Sequence, residues 1–199
     1  MNSKRDFFRL AGGAALASLV SPAEARAPRR TPERPNSMAD YFPNVVLETH
    51  DGRKVRFYDD LLKGKVVAIN MMYSICTGVC PTGTANLKQV QQALGQRLGK
   101  DVFMYSITLR PEIDNSAALR DYIKQYDIQP GWTFLTGKPQ DVDLVRRKLG
   151  FVGDTEAIDA DINQHTGMVR IGNERLERWT MAPALGSHRQ ILRTLLELT

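Results

Sequence analysis

The sequence predicts an α/β sandwich with a mixed central sheet, flanking helices and an N-terminal β-hairpin. Three observations carry this expectation. Strand and helix patterns alternate along the chain after a leading hairpin. A continuous apolar run from Lys65 to Tyr73, bounded by Gly64 and Ser74, has the length and composition of a strand buried on both faces. The chain of 199 residues is 42% apolar and 25% charged, the balance of a globular protein with a sizeable core. No uninterrupted apolar stretch of about 18 residues occurs, so no membrane-spanning helix is expected.

The elements follow in order. Val45 to Leu47 and Val55 to Phe57 flank Asp51-Gly52, a dipeptide suited to a hairpin turn because glycine accepts positive φ. Lys65 to Tyr73 is the central strand. From about Gly83 to Leu98, the residues Leu87, Val90, Leu94 and Leu98 recur at helical spacing, and Gly99 stops the helix. Val102 to Thr108 is a second buried strand. Asn115 to Asp127 is helical, with Asn115 or Ser116 as cap and Leu119, Ile123 and Tyr126 on one face. Trp132 to Thr136 is a strand, closed by Gly137-Lys138-Pro139, and Gln140 to Leu149 is a helix with Val142, Val145 and Leu149 inward. Met168 to Ile171 and Leu176 to Trp179 form a last hairpin across Gly172-Asn173, and Ser187 to Leu198 is the terminal helix. A thioredoxin-like arrangement is the simplest that fits this order. Met71 and Met72 alternate on the central strand, so each is expected to pack into one face of the core.

Residues 1–27 read as an export signal. They have a basic start, an Ala- and Gly-rich apolar middle from Leu10 to Val20, and the small-residue ending Ala25-Arg26-Ala27. Ser3-Lys4-Arg5-Asp6-Phe7-Phe8-Arg9 is similar to a twin-arginine signal with Lys in place of the first Arg. Residues 28–40, rich in Pro and Arg, suit an extended linker, and the domain is expected to occupy residues 41–199. A periplasmic protein follows, touching a membrane only through a partner or an uncleaved signal.

The formal charge of +5 invites a nucleic-acid partner, but its distribution argues against one. Residues 1–27 carry +2 (Lys4, Arg5, Arg9 and Arg26 against Asp6 and Glu24), and residues 28–35 carry another +2 (Arg29, Arg30 and Arg34 against Glu33). That leaves +1 for everything after Pro35, so no basic footprint for DNA or RNA is expected.

The chemistry centres on Cys76 and Cys80. Both stand between the central strand and the following helix, at the C-terminal edge of the sheet, where the helix N-terminus favours thiolate over thiol. Two cysteines are too few for a disulfide framework or a four-thiolate zinc site. The C-x-x-x-C spacing leaves three uses open: a structural bridge formed on export, a redox pair, or part of a soft-metal site selecting Cu(I) over hard ions. Of the histidines, His50 abuts the hairpin turn and is expected to be solvated, and His188 opens the terminal helix as a solvent-facing or capping residue. His165 lies in a polar loop before a late strand, where no core demands an imidazole.

At these residues the chain resembles the Sco/SenC family of copper-binding, thioredoxin-fold proteins, from about Leu47 to Leu198. The resemblance rests on Asp51-Gly52-Arg53, on Lys63-Gly64-Lys65-Val66-Val67 and on Tyr73-Ser74-Ile75-Cys76-Thr77-Gly78-Val79-Cys80-Pro81. It extends to Arg110-Pro111-Glu112-Ile113-Asp114-Asn115, to Leu135-Thr136-Gly137 and to the late His165. It implies that Cys76, Cys80 and His165 bind copper, as Cu(I) or Cu(II). It also implies a metallochaperone rather than an enzyme, serving the copper-site subunit of a respiratory oxidase or another exported copper protein, either by delivering the metal or by reducing the partner's cysteines. The chain departs from the family pattern at Arg110, where Asp is usual, at Ile113 in place of Arg, at Gln164 in place of Asp, and at Ile171-Gly172-Asn173-Glu174 in place of a D-P-x-G turn. Carboxylates beside a ligand orient and tune it, so these departures point to weaker copper binding or a shift towards thiol chemistry, while the three ligands themselves are retained. The alternative is an exported thiol-disulfide oxidoreductase in which one cysteine attacks and the other resolves; a thiol peroxidase on the same fold is a third reading.

Overall fold

The computed structural model describes residues 37–162 and 167–199, all within one compact unit, Pro35–Thr199. The export and linker expectations for residues 1–36 lie outside the described residues. A seven-stranded mixed sheet forms the centre, as expected. Its strands are β1 (Val46–Thr49), β2 (Lys54–Arg56), β3 (Val66–Met72), β4 (Val102–Thr108), β5 (Trp132–Gly137), β6 (Met168–Asn173) and β7 (Arg178–Pro183), in the order β2-β1-β5-β4-β3-β6-β7. β3, β4 and β5 run parallel, and every other pairing is antiparallel.

Alternation along β3 builds both cores. Val67, Ile69 and Met71 face one layer, formed by α4 (Pro139–Lys148) and a π-helical segment, Phe57–Leu62. Ala68 and Met72 face the other layer, formed by α2 (Val79–Leu94), α3 (Ser116–Gln125) and α6 (His188–Leu196). The two methionines thus divide between the faces as the period of two requires. Caps end the helices as their chemistry suggests: Asn115 Oδ1 accepts the Ala117 and Ala118 N–H groups at 3.0 Å, and Ser187 Oγ accepts that of Arg189 at 3.2 Å.

Several elements differ from expectation. α2 starts at Val79 rather than near Gly83, with Pro81 in its first turn, where a missing N–H loses no intrahelical bond. Helical spacing is visible in sequence only where apolar residues recur, from Leu87 onward. Before β1, residues Met38–Tyr41 make a helical turn (α1) rather than extended chain, capped by Ser37, and Phe42 is buried beside Trp179. A short helix, α5 (Glu156–Ala160), was not expected. The last hairpin does not turn at Gly172-Asn173. Gly172 pairs with Trp179 inside the ladder, and a Cβ there would lie 2.1 Å from the indole. The glycine makes room for a ring, and the turn falls on residues 174–177, with Glu177 at φ 52°.

Candidate metal and thiol centre

The parallel pairing of β3 with β4 delivers two loops to one edge of the sheet, after Met72 and after Thr108. Asp114 ties them together. It is fully buried, and its carboxylate accepts the Ser74 N–H at 3.0 Å, the Thr108 hydroxyl at 2.5 Å and the Ser74 hydroxyl. Three donors satisfy a group whose burial would otherwise oppose folding. The peptide entering the cysteine loop is thereby held by a residue 40 positions later.

From there the chain turns tightly into α2. The Cys76 N–H donates to the Tyr73 carbonyl at 3.2 Å, Gly78 is the N-cap, and Cys80 lies in the first helical turn. Both cysteines are buried and unbridged. Burial pushes the Cys76 thiol up. Hydrogen bonds from the Cys80 sulfur and N–H, the Tyr73 hydroxyl and the Gly78 N–H more than offset it, so the thiol lies below its usual value. Tyr73 moves the other way, pushed up to about 12 by burial first and then by its bond to Cys76 and the charge of the two cysteines. The groups that lower the Cys76 thiol thus come from Tyr73, Gly78 and Cys80, which surround it at the start of α2.

The rim around the sulfurs is mixed. Ile75 is 64% exposed and Ile113 37%, each adjacent in sequence to one member of the Ser74–Asp114 pair. Arg110 forms an ion pair with Glu112.

Of the three residues expected to ligate metal, the structure brings Cys76 and Cys80 together. His165 and Gln164 lie outside the described residues. The residues flanking them are placed: Ile162 packs against the core cluster that includes both cysteines, and the Gly167 carbonyl accepts the Ala184 N–H at 2.9 Å. Among the described residues no group of three His, Cys, Asp or Glu side chains is gathered to hold a metal ion. His50 is not simply solvated. It is half-buried, its Nδ1 accepts the Phe134 N–H at 3.2 Å, and burial holds its imidazole below the usual value. His188 opens α6 with Ser187 as the cap.

Sequence reasoning missed Tyr73, Ser74 and Asp114 as parts of the centre. Tyr73 reads as the end of a strand and Asp114 as an isolated loop acid, because their partners lie across the fold. The only advance signal is that both fall within the two segments carrying the family resemblance.

The family model described as SCO1/SenC matches residues 34–199. A SCO2-like protein of Rickettsia conorii is 30% identical over 126 residues, covering 60% of this chain and 60% of that protein. The chain therefore spans about three fifths of the length of this curated relative. Yeast Sco1, solved with copper bound, superposes with a TM-score of 0.60 at 20% identity over 76% of this chain and 87% of that one. BsSco, a member of the Sco family of cytochrome c oxidase assembly proteins, superposes with a TM-score of 0.61 at 20% identity over 77% of this chain and 90% of that one. At such identities the superpositions speak for the fold.

Proposed function

This chain belongs to the SCO1/SenC family, and from that premise we propose that it is an exported copper-binding assembly protein, with Cys76, Cys80 and His165 as the ligands of its copper cargo. One observation carries the reading: two buried, unbridged sulfurs within hydrogen-bonding reach of each other at the start of α2. Such a donor set is soft and suits Cu(I), and an imidazole from His165 would complete three-coordination or accommodate Cu(II). Low coordination leaves room for a recipient's thiol to displace the ligands one at a time. The exposed isoleucines beside the loop offer a surface across which such an exchange can take place. The recipient in this reading is a copper-site subunit of a respiratory oxidase or another exported copper protein. We assign residues 1–27 to an export signal, 28–40 to a linker and 41–199 to the periplasmic domain; N-terminal sequencing of the periplasmic protein tests that division.

The deciding experiment is an anaerobic Cu(I) titration of the reduced chain against a competing chelator, with Cys76→Ser, Cys80→Ser and His165→Ala in parallel. One equivalent of copper, weakened in all three variants, is the expected result. Wild-type binding no tighter than that of the variants refutes the copper reading, and retained affinity in His165→Ala alone removes His165 from the site.

A second reading is favoured by the donors gathered on Cys76 and by the changed charges at Arg110 and Ile113: thiol-disulfide exchange in which Cys76 attacks a partner's disulfide and Cys80 resolves the mixed disulfide. A reduction potential and exchange rate far from those of a buried structural bridge would mark it.

A further inference from the structure

At the edge of the sheet opposite the cysteine loop, the strand register gathers charge. Val66, at the start of β3, pairs with Val102 of β4 on one side and with Asn173 of β6 on the other. The segments flanking these three residues therefore meet: Lys65 before β3, Arg97, Lys100 and Asp101 before β4, and Arg175 in the turn after β6. Together with Phe103 they line a cavity of about 370 Å³. The seven residues of β3 put roughly 20 Å of strand between this edge and the cysteine loop.

These cations are not matched within the chain. Among the described residues, the one ion pair that any of them makes joins Arg97 to Asp101 at 3.4 Å, with both partners well exposed. The Lys65 ammonium donates to the Asp60 carbonyl and stands 4.7 Å over the Phe103 ring, and neither contact neutralises it. Burial holds it below its usual value, and the charge of Asp60 offsets this in part. The Arg175 guanidinium lies against Gly64, where a Cβ would stand 3.7 Å from its Nε. A carboxylate at the end of Thr199, which also reaches the cavity, would still leave two more cations than acids. Everything after Pro35 carries only +1, so the concentration is local. Like charges held in one concave site repel one another and raise the potential there for an anion.

We propose that this cavity binds a terminal phosphate group, held by Lys65, Arg97, Lys100 and Arg175. A carboxylate brings one charge and two oxygens. A terminal phosphate brings nearly two charges and three oxygens, which suits a surplus of cations arriving from three separate segments. Guanidinium forks match such oxygens in pairs, and an ammonium adds a compact charge beside them. The same group is carried by a phosphatidic acid headgroup and by free phosphate, and the site takes it from either.

The test titrates the full-length chain calorimetrically with inorganic phosphate and sediments it with phosphatidylcholine vesicles containing phosphatidic acid, all at one ionic strength. The cavity variant combines Lys100→Gln with Arg175→Gln; both residues are exposed, so the fold stays in place. The control combines Lys124→Gln with Arg189→Gln, which removes two exposed cations that line no part of the cavity. Phosphate binding about tenfold weaker in the cavity variant, against a change of about twofold or less in the control, is the expected result. Vesicle binding lost in the cavity variant alone assigns the site to the lipid headgroup. Vesicle binding that falls equally in both variants, with phosphate binding lost only in the first, assigns it to free phosphate. If neither inorganic phosphate nor the vesicles separates the cavity variant from the control, the proposal is overturned. The cavity shares no residue with the cysteine loop, so this result and the copper titration succeed or fail independently.

Discussion

Asp114 offers a sharp test of how the centre is held. Replacing it by alanine deprives three donors of their acceptor: the Ser74 N–H at 3.0 Å, the Thr108 hydroxyl at 2.5 Å and the Ser74 hydroxyl. Hydroxyls rotate to find other acceptors, but the backbone N–H cannot. With hydrogen bonds to a charged acceptor contributing about 1.5–3 kcal/mol each and partial rescue of the hydroxyls, the loss should be roughly 3–5 kcal/mol. For a chain of this size that lowers the melting temperature by on the order of 10 °C. Asparagine is the informative comparison. Its oxygen can keep the Ser74 N–H and Thr108 bonds at the Oδ2 position, while its NH₂ donates to the Ser74 hydroxyl oxygen, so only the charge is lost. About 1–2 kcal/mol is expected for Asp114→Asn. Urea unfolding of the reduced chain, with amide exchange read at Ser74, measures both. Equal losses for Ala and Asn, or an Asp114→Ala loss below about 1 kcal/mol with Ser74 still protected, would refute the claim that this carboxylate pins the cysteine loop.

Three further substitutions probe the surrounding fold. Gly172→Ala drives a methyl to 2.1 Å from the Trp179 ring and should destabilise by about 1–3 kcal/mol; adding Trp179→Ala should recover part of the loss, as a double-mutant cycle reads out. His50 is held below its usual value by burial, so the unfolded chain takes up its proton first as pH falls through about 6.5. Its contribution is therefore complete above that pH and lost on the way down to the folded value. His50→Asn, which keeps an acceptor for Phe134 N–H, should flatten the stability profile as pH falls below about 6.5, and an unchanged slope would count against it. Arg146 bonds the Phe151 carbonyl and the Asp143 and Asp159 carboxylates, with only 7% of its side chain exposed. Arg146→Met should lower amide protection across Gly153 to Asp161 while sparing β3; a uniform loss along the chain would show that the ion pairs stabilise the whole fold rather than α5.

What the sequence made legible, and what it hid, divides along one physical line. The run from Lys65 to Tyr73, the Leu87-Val90-Leu94 stripe and the Asn115 cap were readable because strand period, helical spacing and capping are properties of neighbours in the chain. The Cys76/Cys80 pair was readable for the same reason, since its strand-to-helix setting is local. Gly172 misled because its small size serves Trp179 across a ladder rather than a turn within the chain. Asp114, Tyr73 and Arg146 were opaque because their roles depend on pairing: Asp114 reaches back 40 residues to Ser74, and Arg146 forward 13 to Asp159. Two of the hidden residues lie at the cysteines: Asp114 pins the peptide that enters their loop, and Tyr73 is buried in the same cluster as both sulfurs. A C-x-x-x-C element alone therefore identifies a place for soft-metal or thiol chemistry, whereas where the loop lies depends on groups such as Asp114, which grips Ser74 from 40 residues away.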